Sequence, residues 1–186
     1  MPKIVFIVGG PGCGKGTQCD KIVEKYGYCH LSSGDLLRAE VASGSEEGKK
    51  LQETMTKGEL VSNDTVLALM KKNIENNKEA KGFLIDGYPR TVDQGISFEK
   101  VVGETCAVVY LEVSNEIMVQ RLLKRAETSG RADDNEETIR KRLEVFQGQT
   151  KPVVAHYEAQ GKCHKIDGLR SIDEVFGDVV SIFDKL

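Results

Sequence analysis

No stretch of this 186-residue chain is apolar for long enough to cross a membrane. The longest early run, Ile4 to Val8, stops in glycine far short of the ~20 residues a spanning helix needs, and is too short for the core of a secretory leader. The five cysteines, at 13, 19, 29, 106 and 163, are odd in number and contain no C-x-x-C pair, against a disulfide framework or a zinc ribbon. His30, His156 and His164 are isolated, without metal-ligand spacing, and no Ser-His-Asp arrangement is readable. Charge of one sign is also lacking. With 29 acids against 26 bases the net charge is −3, which excludes a generally basic chain that coats nucleic acid but leaves room for a local basic pocket. Internal repeats, low-complexity tracts and proline-rich linkers are missing as well. What remains is one compact domain with reduced thiols, expected in the cytoplasm as a monomer, with no nucleic-acid or membrane partner. A globule of this length buries about 70% of its unfolded surface, ample for a core.

Short runs rich in Val, Ile and Leu are present at Ile4–Val8, Phe83–Ile85 and Ala107–Val113, with weaker candidates at Tyr28–Leu31 and Cys163–Ile166. Continuous rather than alternating apolar runs suit strands covered on both faces, as in a parallel sheet. Between them the spacing predicts helices over Lys15–Tyr26, Asp35–Ala42, Thr65–Asn76, Val92–Val101, Glu116–Glu127 and Glu136–Gln160, with Pro152 kinking or splitting the last. Ser171-Ile-Asp-Glu174 is a capping box that announces a final helix. The alternation predicts a doubly wound α/β fold, with ligands beyond the carboxyl ends of the strands. Ser33 to about Thr65 is helical without an apolar strand and is expected to project from the sheet.

The strongest chemical signal is Gly9-Gly10-Pro11-Gly12-Cys13-Gly14-Lys15-Gly16-Thr17, directly after the first strand. Five glycines in eight positions let the backbone turn tightly and aim its N–H groups at one centre. The helix N-terminus and the Lys15 ammonium add positive charge, so the segment is a P-loop cradle for a triphosphate. Gly16 stands where Ser or Thr commonly follows the lysine, and the hydroxyl arrives only at Thr17. The strand Phe83–Ile85 ends in Asp86, which beside a P-loop would order water on Mg²⁺.

Of the eight arginines, five lie between 121 and 142. Arg140 has Glu136 and Glu144 four residues either side and reads as a structural pair. Arg121, Arg125 and Arg142 have no acid three or four positions away and read as unpaired. Arg131 sits in the polar segment Thr128–Asp134. Free guanidinium groups around a loop are what phosphate recognition needs, because they bind phosphate oxygens two at a time. Arg38 is open to a simple pairing with Asp35. Arg90, after Pro89, lies where loops should meet.

Four ordered motifs carry a resemblance: Gly9 to Gln18, Leu31-Ser-Ser-Gly-Asp-Leu-Leu-Arg38, Gly82-Phe-Leu-Ile-Asp-Gly-Tyr-Pro-Arg90 and Ser129-Gly-Arg-Ala-Asp-Asp134. The chain resembles the nucleoside monophosphate kinases from end to end, and among them the short adenylate kinases. The resemblance implies Mg²⁺-dependent transfer of the ATP γ-phosphoryl group to AMP, giving two ADP. It implies an ATP site of Gly10, Pro11, Gly12, Cys13, Gly14, Lys15, Gly16, Thr17, Arg121, Arg125 and Arg170, the last in a loop where the family often has Gly. The implied AMP site is Ser33, Arg38, Glu59, Leu60, Val61, Gly87, Arg90, Gln94, Arg131 and Arg142, with Lys15, Arg90, Arg125, Arg131 and Arg142 catalytic and Asp86 reaching the metal through water. It further implies a core (1–31, 66–123 and 136–186), a monophosphate-binding flap (about 32–65) and a short lid (about 124–135). The sister UMP/CMP kinases stay open: Ser33 fits neither branch, Tyr88 and Gln94 lean to adenylate, and Lys165–Phe176 leans to the sister branch. A P-loop switch would want N-K-x-D and D-x-x-G, and neither occurs. A module that binds nucleotide without transferring phosphate is a third reading.

Overall fold

The computed structural model describes residues 2–186. Its centre is a five-stranded parallel sheet of β1 (Lys3–Gly9), β2 (Cys29–Ser32), β3 (Gly82–Asp86), β4 (Ala107–Glu112) and β5 (Cys163–Asp167), in the order β2-β3-β1-β4-β5. The strongest runs become the inner strands. Phe83, Leu84 and Ile85 are wholly buried, as are Val5 and Phe6, because helices cover both sheet faces. The two weak candidates, β2 and β5, are the edges, where one neighbour suffices and composition can be more polar.

Around the sheet run α1 (Lys15–Tyr26), α2 (Ser33–Ala42), α3 (Glu46–Thr56), α4 (Asn63–Asn76), α5 (Val92–Val101), α6 (Asn115–Ser129), α7 (Glu136–Val145), α8 (Lys151–Glu158) and α9 (Ile172–Phe183). α1 and α5 match the expected bounds, while α2, α4 and α6 begin one or two residues early. The capping box before α9 is formed: Ser171 Oγ accepts from the Glu174 N–H at 3.3 Å, and the Glu174 carboxylate accepts from the Ser171 N–H at 3.0 Å. Stretch 33–65 holds α2, α3 and the start of α4 and adds no strand. The long helix expected over Glu136–Gln160 is interrupted rather than ended: a π-helical turn, Phe146–Thr150, joins α7 to α8 with helical backbone throughout, and Pro152 falls in the first turn of α8.

The connection from β1 leaves toward β2, and that from β3 leaves the other way, toward β4. A crevice opens where two neighbouring strands part company in this manner. Ile7 of β1 lies level with Asp86 of β3, so the glycine loop and the Asp86–Arg90 segment emerge side by side.

Candidate active site

The glycine loop runs from β1 into α1. Gly14 caps α1 with φ +98°, and Gly12 has φ +78°. A Cβ at Gly12 would also lie 3.0 Å from Leu122 and 3.1 Å from the Met118 carbonyl, so two constraints require glycine there. Lys15 Nζ folds back to donate to the Gly9 and Gly10 carbonyls, each at 3.0 Å. The ammonium is thereby parked at the loop it would serve.

Beside the loop lies a cleft of about 510 Å³. Seven cationic side chains line it: Lys15, Arg38, Arg90, Arg121, Arg125, Arg131 and Arg142. They come from α1, α2, the segment after β3, α6, the loop after α6, and α7. Burial and mutual repulsion act together on Arg90, Arg131 and Arg142. Arg142 is pushed down to about 10, mainly by burial, with Arg90 and Arg125 adding to it and Asp133 and Asp134 opposing. Arg131 is lowered by burial and then by the charges of Arg38 and Arg125, and Arg90 by burial above all. The cleft is poised for an anion.

The arginines read as unpaired need a correction. Arg125 grips Asp134 with two bonds, Nε to Oδ2 at 2.9 Å and Nη2 to Oδ1 at 2.5 Å. Arg142 Nη1 reaches Asp133 at 3.2 Å and Asp134 at 3.5 Å. These acids stand eight or nine residues away, across the turn between α6 and α7, beyond the reach of a three-or-four-residue rule. Arg121 has no carboxylate partner among the described residues and reaches only the Gly12 and Gly168 carbonyls, at 3.5 and 3.4 Å. The Arg131 guanidinium has no carboxylate within 4 Å among the described residues. Arg38 pairs with Asp35 at 2.5 Å, and Arg140 with Glu136 at 2.7 Å on the exposed face of α7.

Most other expected residues also line the cleft: Pro11, Gly12, Gly14, Gly16, Thr17, Ser33, Glu59, Leu60, Val61, Asp86, Gly87 and Gln94. Ser33 Oγ donates to the Gly87 carbonyl at 2.9 Å. Gln94 Oε1 accepts from the Arg90 N–H at 2.8 Å, which fixes the amide so that its NH₂ is the end left for a ligand. Three expected residues lie elsewhere. Gly10 contributes its carbonyl to Lys15 and sits against Met118. Cys13 is buried under the loop. Arg170 is held by Asp178 of α9, outside the cleft, because that carboxylate is the nearer attraction.

Among the cleft residues not expected from the sequence, two stand out chemically. Asp133 lines the cleft with one carboxylate oxygen buried and without a protein partner. His30, read as isolated, meets Asp86 with Nε2 3.1 Å from Oδ2. Its place near the carboxyl end of a strand was the available signal.

The adenylate kinase family model matches residues 7–162. The chain belongs to the adenylate kinase family. Adenylate kinase isoenzyme 1 of Cyprinus carpio is 60% identical over 185 residues, covering 99% of this chain and 95% of the carp protein. The human isoenzyme 1 is 56% identical over the same coverage, and adenylate kinase 1 of Schistosoma mansoni is 55% identical over 95% of this chain and 90% of its own length. As an adenylate kinase the chain is a phosphotransferase that converts ATP and AMP to two ADP, and the UMP/CMP reading is not favoured.

Proposed function

We propose that the seven cations carry this reaction by drawing two nucleotides, phosphate to phosphate, into one cleft. Their convergence on a single space is the observation on which the reading stands. ATP is assigned to the glycine loop from Gly10 to Thr17, with Arg121 beside its base and Arg125 on its phosphates. AMP is assigned to Ser33, Arg38, the Glu59–Val61 backbone, Gly87, Arg90 and Gln94. The free NH₂ of Gln94 suits a ring nitrogen of adenine. Arg131 and Arg142 are assigned to the transferred phosphoryl group and the acceptor phosphate.

ATP and AMP bring roughly six negative charges together, and repulsion must be neutralised before attack. The AMP phosphate is already anionic, so no general base is needed. One of its oxygens bonds to the γ-phosphorus in line as the β–γ bridging bond breaks, and the leaving charge stays on ADP. Lys15 leaves the Gly9 and Gly10 carbonyls for phosphate oxygens, and the arginines hold the equatorial charge. Asp86 lines the cleft and has a second carboxylate oxygen not engaged by His30, hard-donor chemistry that fits a hydrated Mg²⁺. When bound, Mg²⁺ supplies charge neutralisation on the ATP phosphates.

Water must be kept from the γ-phosphate. The flap (about 32–65) and the lid (about 124–135) are assigned to close over the core (1–31, 66–123 and 136–186) for that purpose. The free thiols suit the cytoplasm. The test is ADP formation from Mg²⁺-ATP with AMP, CMP and UMP as separate acceptors at equal concentration, together with the reverse reaction from ADP. A strong AMP preference is expected. Preference for CMP or UMP overturns the Gln94 assignment, and ATP binding without any transfer overturns the roles of the arginines.

A further inference from the structure

Cys19 on α1, His30 on β2 and Asp86 at the end of β3 come together from distant points of the chain. The thiol sulfur, a ring nitrogen and a carboxylate oxygen all lie within 4.8 Å of one another. Cys19 is wholly buried and Asp86 nearly so, whereas His30 is half-buried and lines the cleft with Asp86. The group is therefore closed beneath and open toward the nucleotide space. The two ring nitrogens of His30 face different acids. Nε2 meets Asp86 Oδ2 at 3.1 Å, and Nδ1 looks toward Asp20 Oδ1 at 3.9 Å. A carboxylate hydrogen-bonded to the non-ligating nitrogen is what orients a histidine on a metal, and exposed Asp20 would reach that position by closing about 1 Å on Nδ1.

Thiolate, imidazole and carboxylate form a donor set for zinc, whereas Mg²⁺ takes oxygen. Bond lengths of about 2.3 Å to sulfur and about 2.0–2.2 Å to nitrogen and oxygen place tetrahedral donors about 3.3–3.7 Å apart. The present spread closes to that with side-chain shifts of about 1 Å. A water molecule from the cleft completes the fourth position, as in zinc sites that keep an open face.

We propose that Cys19, His30 and Asp86 form a Zn²⁺ site at the floor of the cleft, and that filling it inhibits phosphoryl transfer by withdrawing Asp86 from its work on Mg²⁺. Binding breaks the Cys19 S–H bond, whose proton goes to solvent, and takes up neutral His30 as the tautomer with its proton on Nδ1, so that the Nε2 lone pair meets the metal; three metal–ligand bonds form, and no electron changes hands. The inhibitory half rests on the role assigned to Asp86, and the binding half does not.

Binding is read without nucleotide, by competing Zn²⁺ away from a chromophoric chelator and by the absorption spectrum of the Co²⁺ form. One ion per chain is expected, with a thiolate-to-cobalt charge-transfer band and the visible bands of tetrahedral cobalt. Cys19→Ala should abolish the charge-transfer band and weaken Zn²⁺ more than Asp20→Asn, which should cost about 10-fold. Cys29→Ser, on the neighbouring position of β2, should leave both unchanged. Should Cys19→Ala prove poorly folded by circular dichroism, His30→Gln, which should remove the tetrahedral cobalt bands, takes its place. An unchanged cobalt spectrum in Cys19→Ala or His30→Gln, or no ion bound by the parent chain, overturns the site. With free Zn²⁺ buffered in the Mg²⁺-ATP and AMP assay, the parent chain should lose turnover while Cys19→Ala keeps it. Zinc bound at these residues without loss of turnover upholds the site and overturns the assignment of Asp86.

Discussion

Arg131 and Arg142 share a proposed role but differ in what holds them, and that difference separates catalysis from stability. Arg131 has no carboxylate within 4 Å among the described residues, so Arg131→Ala should lower turnover by roughly 10³-fold, with ATP affinity and denaturation midpoint little changed. Arg142 is the salt-bridge partner of Asp133, whose other oxygen is buried and unpartnered. Arg142→Ala should cost similar turnover and, in addition, about 3–5 kcal/mol of stability, because it strands a buried charge. Single-turnover kinetics and urea denaturation of the two variants side by side check this, and equal stability loss would refute it. Asp134 adds a pH dependence. Burial pushes its carboxyl up, but hydrogen bonds from Arg125 and Ser129 and the charges of Arg125 and Arg142 bring it below its ordinary 3.8. A carboxyl depressed in the folded state gives its full stabilisation above the unfolded value and loses it as pH falls through the folded one. Stability should therefore be undiminished by this group above about pH 3.8 and fall below it, and Asp134→Asn should flatten that acid limb in denaturant midpoints measured against pH. The cations were legible in the sequence because phosphate chemistry demands them. Their acidic partners were not, since Arg125 and Asp134 meet only through the turn from α6 to α7, and a helical-spacing test sees neither acid.

At the scale of elements, the inner strands and α1 were legible because burial on both faces leaves continuous Val, Ile and Leu. The π-helical turn was legible only in its cause, Pro152. Nothing in the residues Phe146–Thr150 marks the turn's width, but its place matters. Thr150, buried, donates from Oγ1 to the Arg90 carbonyl at 2.8 Å, so the break in the helix is fastened to the segment that carries a proposed catalytic arginine. Thr150→Val keeps the shape and removes that donor. A loss of about 1 kcal/mol in stability is expected, with a drop in kcat rather than a rise in KM for ATP. Steady-state kinetics give the answer, and an unchanged kcat would mean the tie is only structural. The glycine loop offers a second comparison. Gly12→Ala meets both a left-handed backbone and Leu122 at 3.0 Å, whereas a Cβ at Gly16 meets nothing within 4 Å. Thermal melts should show Gly12→Ala destabilised by about 1–3 kcal/mol and Gly16→Ala close to the parent.

Over the whole molecule the net charge is −3, yet seven cations share one cleft. Long-range attraction for nucleotides therefore comes from that cleft rather than from total charge. Raising salt from about 0.1 M to about 1 M shortens the screening length from about 10 Å to about 3 Å. KM for AMP and ATP should rise several-fold over that range while kcat, proposed to be set inside a closed cleft, changes less; initial-rate measurements against ionic strength test it. The fold itself was legible at this scale from strand–helix alternation, whereas the strand order was not, because no residue pattern says which strand lies between β3 and β4. That place belongs to β1, hydrogen-bonded to a neighbour on either side. Its amides are expected to exchange with deuterated water only when the sheet as a whole comes apart, while those around the exposed Gly130 should exchange by local opening. The glycine loop is thus rooted in the part of the protein expected to exchange slowest, and Arg131 lies beside a stretch expected to exchange faster. On gradual warming the two functions should fail in sequence: first the capacity to shield the transferring phosphate, and only later the capacity to hold a triphosphate at all.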